Sequence, residues 1–217
     1  MGGGFGPDSF SADSNAKITI TGGEIHVNAS GDGLDSNGDI EISGGTVYVY
    51  GPTSNGNGSL DYENNAVITG GTVIMAGSSG MAMNFGSEST QGSILASTGN
   101  ASAGTTVKLT DSNGNVIAEF TPTVSFQTVV ISTPDIKSDG TYTLTVGDST
   151  QEITMSGYIY GSGMGGGFGG GGMGGQPGGN GGFGGGNRPG GNNQGGFAGG
   201  NPPDMNGVQN GNMTANA

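Results

Sequence analysis

Between residues 17 and 77, apolar side chains fall at every second position in short bursts, and a glycine pair interrupts each burst. The bursts are Ile18/Ile20 with Ile25/Val27 around Gly22-Gly23, Ile40/Ile42 with Val47/Val49 around Gly44-Gly45, and Ala66/Ile68 with Val73/Met75 around Gly70-Gly71. Alternation with a period of two is the signature of a strand that buries one face. Each unit therefore predicts two short strands meeting at a glycine corner, where a positive φ or close stacking of backbones meets no Cβ.

The units are copies of one another. The first glycines stand at 22, 44 and 70, and an aspartate (Asp13, Asp35, Asp61) stands nine positions before each. A unit of this size cannot bury its own apolar face, but stacked units can. The expected fold is all-β: a right-handed parallel β-helix over residues 10–103, preceded by a Gly/Pro-rich lead at 1–9. A fourth, degenerate coil is expected at 78–92. There Met83 stands where the acidic column would continue, and Met81 and Met83 read as core fillers.

From 104 to 156 the pattern changes. Thr106–Thr110 and Val116–Phe120 flank Asn113-Gly114, which predicts a hairpin. Thr128–Ser132, Thr141–Val146 and Ile153–Met155 read as further strands. Together they predict a small antiparallel sheet capping the open end of the solenoid, where an uncovered terminal coil would invite edge association. Residues 157–217 are dominated by glycine with scattered Phe, Met, Asn and Pro. Their composition is that of a low-complexity tail too polar and too flexible to order by itself.

Composition narrows the function. Of 217 residues, 52 are Gly; 17 are acidic and only 4 basic, for a formal net charge of −13. That balance argues against nucleic-acid partners, which require a basic footprint. No cysteine is present, so neither disulfides nor thiol chemistry contribute. No segment reads as a membrane span, and Met1–Pro7 has neither the basic nor the apolar region of a signal peptide.

Stacked in register, the repeats place Asp13, Asp35 and Asp61 in one column. Asn15, Asn37 and Glu63 form a second, and Lys17, Asp39 and Asn65 a third. Like charges one strand apart, about 4.8 Å, repel unless a cation intervenes. Ca²⁺ takes six to eight oxygen ligands, and Asp13, Asp32, Asp35, Asn37, Asp39, Asp61 and Glu63 are the candidates. Asp35-x-Asn37-x-Asp39 imitates the start of an EF-hand loop, but Ile40 replaces its glycine and Thr46 its final glutamate, which excludes that motif. Beyond the corners, His26, Tyr48 and Ile74 line up on the outward face beside Tyr50. His26, Tyr48 and Tyr50 either form a platform for sugar rings or pack beneath the C-terminal sheet. His26 is the only histidine, so neither a His-based metal cluster nor a Ser–His pair can form.

The phrases Gly31-Asp-Gly-Leu-Asp-Ser-Asn37, Ile42-Ser-Gly-Gly-Thr-Val-Tyr-Val49, Gly58-Ser-Leu-Asp-Tyr62 and Gly70–Ser79 resemble a secreted bacterial family. This is the carbohydrate-binding domain-containing family with a calcium-containing parallel β-helix. Val130–Pro134, Gly140–Thr143 and the Gly/Met-rich end resemble its C-terminal part. The resemblance implies Ca²⁺ at the aspartate columns, a secreted or cell-surface location, and noncatalytic binding of acidic or plant-type polysaccharide. The alternative is a structural role, in which solenoids stack head to tail into an extracellular filament or biofilm matrix. A lyase-like enzyme is not expected, because Lys17, Lys108, Lys137 and Arg188 are scattered and offer no placed base.

Overall fold

A computed structural model describes residues 15–161. The chain divides into two units, residues 1–170 and 171–217, and the second lies wholly outside the described residues. So do Asp13, the lead at 1–9 and most of the glycine-rich tail.

The three sequence units form three long strands: β1 (Lys17–Asn28), β3 (Asp39–Tyr50) and β5 (Ala66–Gly77). They pair in parallel and in the expected register, with Ile18 beside Ile40 beside Ala66 and Val27 beside Val49 beside Met75. Each ladder slips at its glycine pair, where Gly23, Gly45 and Gly71 take φ of 85°, 89° and 90°. A Cβ on Gly45 would lie 2.8 Å from backbone atoms of Gly22 and Gly23. Two short strands, β2 (Leu34–Ser36) and β4 (Leu60–Tyr62), pair in parallel as a separate two-stranded sheet.

The right-handed parallel β-helix read from the repeats does not form. The parallel run stops after β5. Its outer edge, Val73–Gly77, pairs antiparallel with β9 (Phe126–Ser132), and β9 in turn pairs antiparallel with β6 (Ser93–Ala101). β12 (Ile159–Tyr160) closes the far side, giving a six-stranded mixed sheet in the order β1-β3-β5-β9-β6-β12.

The stretch after β5 runs beside its first arm without forming a strand, with the Gly86 and Thr90 amides donating to the Ala66 and Ile68 carbonyls at 2.6 and 3.1 Å. Residues 78–92 contain no strand. Where a fourth strand's carbonyl would accept, Ser89 Oγ accepts from the Ile68 amide at 3.1 Å. The Gln91 amide donates to the Gly71 carbonyl at 3.0 Å. Ala82 and Phe85, rather than a methionine pair, are the buried fillers of this stretch, while Met81 and Met83 remain half-exposed.

The expected antiparallel sheet is present but does not cap a solenoid end. It comprises β7 (Val107–Asp111), β8 (Val116–Phe120), β10 (Thr141–Val146) and β11 (Ser149–Thr154), in the order β11-β10-β7-β8. The predicted strand around 128–132 left it to become β9. One apolar cluster joins Val107, Leu109, Tyr142 and Leu144 of this sheet to Ile74, Ile131 and Ile94 of the large one. The opposite face of the large sheet contributes Ile42, Val49 and Met75 to a second cluster, together with Leu34 and Leu60 from β2 and β4. The large sheet is therefore buried on both faces at β5, which is why Val73 through Ser78 are all buried.

Candidate functional site

The acidic group is built by the short sheet. Leu34 and Ser36 turn inward from β2 and leave Asp35 exposed between them. Parallel pairing with β4 sets Asp35 beside Asp61, on the same face of the two strands. The Glu63 amide donates to the Ser36 carbonyl at 3.2 Å, which continues the register past the strand ends and brings Asn37 alongside Glu63. Ser36 Oγ accepts from the Gly38 amide at 3.2 Å and shapes the turn between them.

Asp32 sits just before β2 and reaches across to the next unit. Its Oδ1 accepts from the Gly58 amide at 2.7 Å. The Asn57 side-chain amide, oriented to donate, lies 3.1 Å from its Oδ2. Part of its charge is thus met by amide donors, and it ties the loop before β2 to the loop before β4.

Electrostatics single out Asp61. Burial is the largest cause raising its carboxyl above the ordinary aspartate range, followed by the charges of Asp32, Asp35 and Glu63; the Tyr62 amide acts in the opposite sense. None of these four carboxylates forms an ion pair among the described residues. Lys17 is bound to Glu41 at 2.6 Å and Lys108 to Glu119 at 2.8 Å.

Asp39 belongs elsewhere. It pairs with Lys17 on the first arm of β3, with its amide bonded to the Ala16 carbonyl. Of the proposed ligands, the structure brings together Asp32, Asp35, Asp61 and Glu63, with Asn37 adjacent; Asp39 is not among the charges that act on Asp61, and Asp13 lies outside the described residues. Among the described residues, no three His, Cys, Asp or Glu side chains converge as a ready-made metal cage. What fits Ca²⁺ is the donor chemistry: hard carboxylate and amide oxygens beside uncompensated negative charge. Two register-paired carboxylates can supply only part of that shell, so carbonyl oxygens or water would have to complete it.

The aromatic row is also placed. His26, Tyr48 and Ile74 are register neighbours on β1, β3 and β5. The rings of His26 and Tyr48 stack at 4.8 Å and 18°, and Tyr50 lies 6.5 Å from Tyr48. Exposure falls steeply along the row: His26 is exposed, Tyr48 half-buried and Ile74 only 3 % exposed. Tyr48 and Tyr50 pack against the cluster shared with the antiparallel sheet. The packing reading thus holds toward the β5 end, which the sheet covers, while the β1 end of the face stays open. Burial, then the nearby Tyr48, pushes the Tyr50 hydroxyl up. Glu24 Oε1 lies 2.6 Å from His26 Nε2 and fixes the outer ring.

One concavity was not read from the sequence. An open cleft of about 430 Å³ is lined by Gln91, Ile136, Lys137, Asp139 and Tyr158, among others. Tyr158 is 42 % exposed. The only hint was the Tyr158/Tyr160 alternation just before the glycine-rich tail. No family, curated protein or solved structure matched the chain. No helix of the described residues is long and apolar enough to cross a membrane.

Proposed function

We propose that this protein is a noncatalytic, calcium-dependent binding module for acidic polysaccharide, acting outside the cell or at its surface. The observation that carries the reading is the in-register pair Asp35 and Asp61, flanked by Asp32 and Glu63 and met by no basic side chain among the described residues. A divalent cation between such carboxylates relieves their repulsion. It can also present a positive charge to a uronate, which a chain of net charge −13 would otherwise repel. The exposed end of the aromatic row, His26 stacked on Tyr48, offers an apolar ring face with polar edges, the surface chemistry that sugar rings take. The resemblance of the repeat phrases to the secreted carbohydrate-binding family supports the same location and ligand class.

The test is depletion of the protein by insoluble polygalacturonate with Ca²⁺ and with EGTA, for the unaltered chain, Tyr48→Ala and Asp35→Asn. Calcium-dependent depletion lost in both variants supports the reading. Equal depletion in chelator, or none with calcium, contradicts it.

A further inference from the structure

β1 ends the six-stranded sheet, and among the described residues no strand lies beyond it. Its apolar residues are under-buried for their type. Ile18, Ile25 and Val27 are half-exposed, whereas Ile40, Val47 and Val49, one strand further in, are fully buried. Among the described residues, the outer end of the core thus lacks a layer that the inner strands possess.

The pattern of β1 is symmetric about its own corner. Reversed about the Gly22–Gly23 bond, Ile18 maps onto Val27, Ile20 onto Ile25, Thr19 onto His26 and Lys17 onto Asn28. All four apolar residues belong to or pack against the same core cluster. Directly opposed residues of an antiparallel pair share a face, so a reversed copy laid on β1 sets apolar on apolar and polar on polar.

The backbone has the same symmetry. Lys17 stands beside Asp39, and the Ala16 carbonyl accepts from the Asp39 amide at 3.0 Å. In the first arm, even-numbered residues therefore turn their hydrogen-bonding groups toward β3, and Lys17 and Thr19 turn theirs outward. In the second arm Asn28 stands beside Tyr50, and the Ala29 amide donates to the Tyr50 carbonyl at 3.0 Å. There odd-numbered residues face β3, and His26 and Asn28 face outward. The reversal that matches the side chains thus also matches outward-facing amides and carbonyls, as Thr19 with His26 and Lys17 with Asn28. No like charges oppose each other in either pair.

We infer that β1 is the interface of a two-fold homodimer, in which two copies pair antiparallel about an axis through the Gly22–Gly23 corner. Such a contact is isologous and closes on itself. Head-to-tail growth would instead need the opposite edge, where β12 pairs with only Ser93 and Ile94 of β6.

The experiment uses the full chain. Sedimentation equilibrium over a concentration series is expected to give about twice the 21.1 kDa of one chain. Thr19→Pro removes an outward amide for which no strand among the described residues supplies a partner, so it is expected to yield a folded monomer, with folding checked by circular dichroism. Opposed residues of a hydrogen-bonded antiparallel pair have Cα atoms about 5.5 Å apart, within disulfide reach. The protein has no cysteine of its own, so T19C/H26C is expected to cross-link to dimer under mild oxidation, while T19C and H26C alone do not. A monomer at all concentrations overturns the inference. So does a ladder of growing oligomers, cross-linking of T19C alone, or slow hydrogen exchange at Thr19 and His26 in monomer, which would mean that the chain covers its own edge.

Discussion

Asp35 and Asp61 stand side by side on neighbouring parallel strands, and no basic side chain among the described residues is paired with either. Asp35 remains in solvent while Asp61 is partly withdrawn from it, so the cost of the two charges falls mainly on Asp61.

A pH dependence of known sign follows. The folded-state pKa of Asp61 is raised, so protonation of this group favours the fold. That contribution is full below the unfolded aspartate value and is lost as pH rises through the folded value. At neutral pH without calcium, Asp61→Asn is therefore expected to raise the melting temperature, with the gain shrinking as pH falls toward 4. With calcium the ordering is expected to reverse, because the wild type alone retains the full pair. Melting curves at several pH values, in EGTA and in Ca²⁺, check both signs.

The glycine corners offer a sharper contrast. Gly45→Ala places a Cβ 2.8 Å from the backbone of Gly22 and Gly23, at a φ of 89°. It is expected to cost at least roughly 1–3 kcal/mol in urea unfolding, the range for a non-glycine residue held in a sparsely populated backbone region. Gly22→Ala meets nothing within 4 Å and is expected to be close to neutral. Equal losses at the two sites would mean that stacking of the corners is not what requires glycine.

Much of this layout is written in the local pattern. The alternation around each glycine pair predicts β1, β3 and β5, and the nine-residue offset predicts that Asp35 meets Asp61. The role of β9 is not legible, because Thr128–Ser132 alternates like any half-buried strand. It pairs with the second arm of β5, Val73–Gly77, while Ser89 and Gln91 bond the first arm and the corner, and nothing in the local pattern assigns those partners. The covering of Ile74 was likewise a choice between two readings until the antiparallel sheet was seen to lie on that face. The third column was legible as well: spacing set Asp39 beside Lys17, and that is the register β1 and β3 adopt.

β9 carries the join between the parallel and antiparallel halves of the large sheet. Ile131 is fully buried between Ile74 and Ile94. Ile131→Ala is expected to destabilise the protein by about 2–5 kcal/mol, read from the denaturation midpoint at unchanged slope. A loss below about 1 kcal/mol, the small end of core truncations, would show that β9 is not an integral strand of the core.

Asn84 secures the far edge. Its side-chain amide donates to the carbonyls of Tyr160 at 2.8 Å and Gly161 at 3.1 Å, and its oxygen accepts from Phe85 and Ser93. Asn84→Leu removes those donors from a buried position. Hydrogen exchange is expected to accelerate in the segment containing Ile159 and Tyr160, with little change in β10. Unchanged exchange there would mean that the β6 pairing alone holds β12.

The most direct test of the account is calorimetric titration of Ca²⁺ into calcium-free protein, alongside Asp35→Asn and Asp61→Asn. The account predicts saturable binding to the unaltered chain, with affinity reduced at least tenfold, about 1.4 kcal/mol, in each variant. Saturable binding that both variants retain unchanged, or no binding to the unaltered chain at millimolar Ca²⁺, the weak end for extracellular calcium sites, would contradict it.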